Sequence, residues 1–153
     1  MIFGRKKRSI VRLLVVEDEP LVAFDTEHVL SEQDYEIVAT VDRVAHAVAI
    51  LDEADDIHLV LADIALADGS GIEVAQAAAR RGVPVMFVTG NCPGDAEALA
   101  VACLSKPYAP RDLIAAIEAI EAAREGKTTR RLPNGFRLFA GSDPSAGGAA
   151  AIG

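Results

Sequence analysis

The sequence predicts an α/β domain in which five parallel strands form one doubly wound sheet with helices on both faces. Three observations point there. Short runs of Val, Ile, Leu and Ala, apolar at nearly every position, recur along the chain and suit strands buried on both faces. Between them lie segments with apolar residues at helical spacing, the mark of amphipathic helices. The 153 residues, 51% hydrophobic and 25% charged, fit one globular domain and are too apolar for a disordered chain.

The elements follow in order. Residues 10–16 form a β-branched and leucine run ending in acids, a buried strand. Pro20 suits the first turn of a helix, where its missing N–H costs nothing, and Val22, Thr26, Val29 and Leu30 continue it. Residues 36–41 are a second strand. Val44, Ala47, Val48 and Leu51 fall at i, i+3, i+4 and i+7 of a second helix. Residues 57–62 are a third strand, and the Gly69-Ser70-Gly71 loop leads to a helix stripe of Ile72, Ala75 and Ala79 that Gly82 stops. Residues 83–88 are a fourth strand, with Pro84 near its start where a lost donor is tolerable. Residues 94–101 allow a helix of two turns at most. Residues 102–105 are a fifth strand, and Leu113, Ala116, Ile117 and Ile120 mark a last helix ended by Gly126. Right-handed crossovers turn such a βα alternation into an open sheet whose ligands bind beyond the carboxyl ends of the strands.

The net charge of −8 is unevenly spread: residues 13–123 carry −16 between basic ends, +5 over residues 1–12 and +3 over residues 124–153. An acidic body repels a phosphate backbone and attracts divalent cations, which argues against nucleic acid as a partner. No apolar stretch approaches a membrane span, and no secretory core follows Arg5-Lys6-Lys7-Arg8, so no membrane partner and a cytoplasmic location are expected. Cys92 and Cys103 are too few for a disulfide framework or zinc site, and His28, His46 and His58 are scattered. The expected organisation is a basic extension over residues 1–9, a domain over 10–125 and a flexible tail over 126–153. Phe136, Leu138 and Phe139 in that tail could dock on the body or on a partner.

The strand ends carry the chemistry. Glu17, Asp18 and Glu19 follow the first strand, Asp63 ends the third, Thr89 and Gly90 the fourth, and Lys106 and Pro107 the fifth. Clustered carboxylates repel one another unless a cation sits among them, and a hard oxygen site with room for water suits Mg²⁺. A metal, an ammonium and a hydroxyl together would stabilise a phosphoryl group, and a carboxylate among them can act as its nucleophile. Asp63, flanked by the loop 64–71, is the best placed for that role.

Val16-Glu17-Asp18-Glu19-Pro20, Leu61-Ala62-Asp63-Ile64-Ala65-Leu66, Asp68-Gly69-Ser70-Gly71, Val88-Thr89-Gly90 and Lys106-Pro107-Tyr108 together resemble the receiver domain of two-component response regulators, over roughly residues 10–123. The resemblance implies a (βα)5, flavodoxin-like fold with a short or irregular fourth helix, and a regulator of the single-domain type that is not a turnover enzyme. It implies that Asp63 accepts a phosphoryl group from a sensor histidine kinase. Asp18, Asp63, Glu17 and the backbone carbonyl of Ala65 would hold Mg²⁺. Thr89 and Lys106 would bind the phosphoryl group, Tyr108 would turn into the gap that Thr89 leaves, and the Lys106–Pro107 bond would be cis. Output would pass through protein contacts, as a shuttle, a sink or kinase feedback. A downstream histidine phosphotransfer or regulator protein would be the further partner, and the chain a monomer or weak dimer.

Some positions depart from the pattern. Ala67 stands where many receivers carry proline, and the stretch from Thr89 to Lys106 is short. Phe87-Val88-Thr89-Gly90 resembles the start of the Phe-Ala-Thr-Gly receiver subclass, but Asn91 and Cys92 replace the hydrophobic residue and tyrosine that follow there. Two other readings use the same residues. A receiver-like module could bind partners without phosphorylation, although the acids, the acceptor and the lysine are all present. A haloacid-dehalogenase-type hydrolase also forms an aspartyl phosphate, but needs an acid two residues after the nucleophile, where Ala65 stands.

Overall fold

The computed structural model describes residues 8–129 and 131–139. β1 (Arg12–Val16), α1 (Pro20–Glu32), β2 (Glu36–Val41), α2 (Val44–Glu53) and β3 (Leu59–Ala62) are followed by a small ladder, β4 (Ala65–Leu66) and β5 (Gly69–Ser70). Then come α3 (Gly71–Arg80), β6 (Val85–Thr89), a 3₁₀ turn at Ala96–Ala98, β7 (Ala102–Ser105), α4 (Pro110–Arg124) and β8 (Phe136–Leu138). The main sheet has the order β2-β1-β3-β6-β7-β8. Its first five strands are parallel, as the βα alternation requires, and the chain reverses across β1 to place β2 on one side and β3 on the other.

Strand alternation divides the core in two. Leu14, Val16, Val60, Ala62 and Phe87 face α2 and α3, where Leu51, Val74 and Ala78 meet them. Leu13, Val15, Leu59, Leu61 and Val88 face α1 and α4, against Leu30, Leu113, Ile117 and Ile120. Successive side chains enter opposite layers, which is why these strands read as unbroken apolar runs. Helix ends follow local rules. Ser70 caps α3, its hydroxyl accepting the Ile72 amide at 3.1 Å while the Ser70 amide donates to Glu73 Oε2 at 3.1 Å.

One connection is as short and irregular as the sequence leads one to expect, and the two ends of the domain differ from the simplest reading. The fourth helix is reduced to the 3₁₀ turn, because Pro93 and Gly94 take up the start of an already short connection. Part of the expected tail is sheet: β8 pairs antiparallel with β7, Leu104 opposite Phe136 and Ala102 opposite Leu138. Burial of Phe136 and Phe139 drives that docking. At the other end, the Arg8 guanidinium lies 4.1 Å from the Tyr35 ring centre and the Ser9 hydroxyl donates to Glu121 Oε2 at 3.2 Å, so the last residues of the expected basic extension pack on the body. Residues 1–7 and 140–153, with Arg5, Lys6, Lys7 and the Gly/Ala-rich end, lie outside the described residues.

Candidate functional site

The site is built from residues one step beyond strand ends, each held by a last rung of the ladder. The Glu17 amide donates to Val41 O at 2.9 Å, the Asp63 amide to Val16 O at 3.0 Å and the Lys106 amide to Thr89 O at 2.8 Å. These bonds set adjacent strand ends level and aim their side chains at one point. Gly71 brings α3 close to the same point. A Cβ there would sit 2.1 Å from the Asp63 carbonyl oxygen, so only glycine allows this approach.

At the centre the Lys106 ammonium donates to Glu17 Oε1 at 2.8 Å and Asp63 Oδ2 at 3.0 Å, and reaches Glu19 Oε1 at 3.5 Å. The Lys106–Pro107 bond is cis. Glu17, Asp63 and Thr89 are buried. Burial pushes the Glu17 carboxyl above its ordinary range, against the pull of the Lys106 ammonium. Burial alone would lower the Lys106 pKa, but hydrogen bonds to Glu17 and Asp63, and the charges of those two acids, hold it above the ordinary lysine range. One ammonium thus faces several carboxylates.

That surplus of negative charge bears on a metal. Glu17, Asp18 and Asp63 each offer a carboxylate oxygen, all within 4.8 Å of one another. Hard oxygen donors at that spacing fit a small divalent cation such as Mg²⁺. The Ala65 amide donates to Asp63 Oδ1 at 3.4 Å, which brings the loop after Asp63 against its carboxylate. The Thr89 hydroxyl accepts the Asn91 amide at 3.4 Å.

Tyr108 packs with the α1–α4 cluster, its hydroxyl 3.5 Å from Thr26 Oγ1, and burial raises its pKa. Alternation along β6 sends Phe87 to the α2–α3 layer and Val88 to the other, so Thr89 follows Phe87. Tyr108, Thr26, Glu17 and Asp63 line a void of about 10 Å³ beneath the acids, room for one water at most.

Three contributors were not singled out as site residues from the sequence. Glu19 lies in the acid run that signals the site. Thr26 is a buried hydroxyl on the apolar stripe of α1, and a polar residue at a core position was its signal. Asp68 accepts the Val44 amide at 2.6 Å and the Ala45 amide at 3.1 Å, tying the loop after Asp63 to the start of α2. Nothing local in the sequence announces that contact.

Comparison with known proteins gives the family. Residues 13–118 match the family described as response regulator receiver domain. The transcriptional regulatory protein PdtaR of Mycobacterium tuberculosis is 36% identical over 121 residues, which cover 74% of this chain and 58% of that protein. The phyllosphere-induced regulator PhyR of Methylorubrum extorquens is 33% identical over 115 residues, covering 69% of this chain and 41% of that protein. The chain thus spans 58% or less of the length of either relative. A CheY-like response regulator receiver domain protein from Methanospirillum hungatei superposes with a TM-score of 0.68 at 28% identity, over 77% of this chain and 98% of that one. Among the described residues no helix is long and apolar enough to cross a membrane. With the strand order, the acid cluster and the cis-proline lysine already in place, these matches lead to one conclusion: the chain belongs to the response regulator receiver domain family.

Proposed function

We propose that this receiver accepts a phosphoryl group on Asp63 from the phosphohistidine of a sensor kinase and signals through phosphorylation-dependent protein contacts. The observation that carries the proposal is the Lys106 ammonium, 3.0 Å from Asp63 Oδ2 within a buried acid cluster. An Asp63 oxygen attacks phosphorus in line, the P–N bond to the imidazole breaks, and an acyl phosphate forms. Lys106 then turns from carboxylate to phosphoryl oxygen, and Thr89 supplies a hydroxyl donor from the neighbouring strand end. Asp18, Asp63, Glu17 and the Ala65 carbonyl are the groups that would hold Mg²⁺, which when bound neutralises charge on the transferring phosphoryl group. Ala65, two residues after Asp63, brings no carboxylate to act as a general acid, so the acceptor works stoichiometrically and dephosphorylates slowly by itself.

Leu21 and Phe24 on α1 are 79% and 66% exposed beside the pocket, an apolar patch for a phosphodonor protein to cover. Two experiments test the reading. A small phosphodonor with Mg²⁺ should add one phosphate by intact mass, and Asp63→Asn should accept none while keeping its circular dichroism; labelling retained in that variant removes the assignment. Phe24→Ser should slow transfer from the cognate histidine kinase about tenfold, as loss of a buried interface aromatic predicts, and leave small-donor phosphorylation unchanged.

A further inference from the structure

We infer that residues 132–139 form a strap whose docking on the sheet edge is coupled to the Asp63 pocket: docked while Asp63 is unmodified, released when it is phosphorylated. The inference rests on the phosphoacceptor role proposed above.

The strap is anchored at two points, one beside residues of the pocket and one at the far end of the connection that leaves it. The Ser105 amide donates to Gly135 O at 2.9 Å, and Ser105 both precedes Lys106 and pairs with Thr89 in the β6–β7 register. At this point Gly135 holds a φ of 76°, and a Cβ there would meet the Ser105 Cβ at 3.4 Å, so the turn fits closely against β7. At the other end the Phe139 amide donates to Val101 O at 2.9 Å. Its buried ring belongs to the cluster of Cys103, Ala96 and Ala100, against which Cys92 and Leu99 pack. Cys103 lies in β7, and the other four belong to the connection that follows Thr89, where the 3₁₀ turn stands in place of a full helix. Phe136 enters the opposite layer, with Leu104 and Leu113. The strap therefore wraps the edge, with one phenylalanine on each face.

A phosphoryl group on Asp63 draws Lys106 and Thr89 toward it. Both movements act on the strap's anchors, one through Ser105 and one through the connection beginning at Gly90. Close-packed contacts do not follow such shifts continuously; they hold or they give way. A strap fitted to the unmodified pocket is the weaker partner in that contest, since β8 contributes only three residues to the sheet. Linkage makes the effect mutual: releasing the strap must favour the phosphoryl-bound state by the same factor.

The test uses the full chain and amide hydrogen exchange by NMR, with and without Mg²⁺ and beryllofluoride as the phosphoryl mimic. Exchange at Ser105 and Phe139 should rise about tenfold on beryllofluoride binding, while the Asp63 amide, bonded to β1, stays protected. A Phe139→Ser chain should bind beryllofluoride tighter by a similar factor, and Gly135→Ala, a milder disturbance of the anchor, should do so to a smaller extent. Saturated binding seen by fluorine NMR, with Ser105 and Phe139 exchange unchanged or slowed, overturns the coupling and leaves the phosphoacceptor reading intact. No beryllofluoride binding at all overturns both.

Discussion

The centre of the sheet and its far edge are held by different means. At the centre, β3 has β1 on one side and β6 on the other, all parallel, and helices seal both faces. At the edge, β7 is covered by three antiparallel residues of β8, and on the α3 side by a 3₁₀ turn and one phenylalanine. A central side chain cannot leave its layer without unfolding the domain. The strap can let go while the remaining strands stay paired. Global cooperativity belongs to the first region and local opening to the second. The pocket straddles the two: Glu17, Asp63 and Thr89 sit at strand ends of the rigid half, and Lys106 follows β7 at the half that can adjust.

The largest effect should come from the rigid half. Phe87→Ala, at a fully buried ring in β6, should cost about 3–5 kcal/mol of global stability in urea unfolding. A loss under about 1 kcal/mol would mean that the centre relaxes as readily as the edge, and the contrast would fail.

The next largest concerns the junction. Lys106→Met removes the ammonium shared by Glu17 and Asp63 and leaves two buried carboxylates facing each other. The signs are definite. The raised Lys106 pKa means its stabilisation is fully present below the ordinary lysine pKa and is lost as pH rises through the raised value. The raised Glu17 pKa means that its ionisation costs native stability above the ordinary glutamate range, a cost relieved as pH falls and the carboxyl takes up a proton. The Tm deficit of Lys106→Met should therefore be greatest from neutral pH to mildly alkaline pH and shrink toward pH ~4–5, where glutamate protonates. A deficit that grew in acid would show that repulsion among the acids is not its source.

At the edge the same kind of truncation should cost less. Phe136→Ala should lower global stability by only about 1–2 kcal/mol, because the loss is capped at the strap's own docking free energy. Exchange at Phe139 and Ser105 should nevertheless rise strongly, while amides between β1 and β3 keep their protection. Uniform loosening of all strands would erase the distinction between the two regions.

The same division explains what could be read from the sequence. Asp63, Glu17 and Lys106 were legible because each stands directly after an apolar run, and a parallel sheet brings such positions to one rim whatever its details. Gly71 and Asp68 act through the loop beyond Asp63, in contacts that depend on where α2 and α3 settle. β8 was harder still. Residues 132–139 contain Pro133 and Gly135 and carry no alternation long enough to mark a strand. What places them is the open edge of β7 and two pockets for phenylalanine, features that exist only once the rest has folded. Tyr108 shows the converse. Its position beside Lys106 was evident, but the face it takes depends on strand alternation and on Thr26 across the layer.

The smallest expected effect tests whether the loop beyond Asp63 belongs with the rigid half. Asp68 sits at the surface, and its carboxylate accepts two amides at the start of α2. The hydrogen bond from the Val44 amide is the main reason its pKa lies below the ordinary carboxylate range. Its contribution is present above the unfolded value and lost as pH falls through the folded one. Asp68→Ala should thus lower Tm slightly at pH 7 and speed exchange at Val44 and Ala45. The difference from the parent chain should close only in acid, below about pH 4. Asp68→Asn, which keeps an acceptor but not the charge, should fall between the two at neutral pH. If instead it matched alanine, charge at the helix start rather than hydrogen bonding would hold the loop. The Asp63 loop would then be tethered by a long-range attraction that tolerates movement, and would belong with the adjustable half of the pocket.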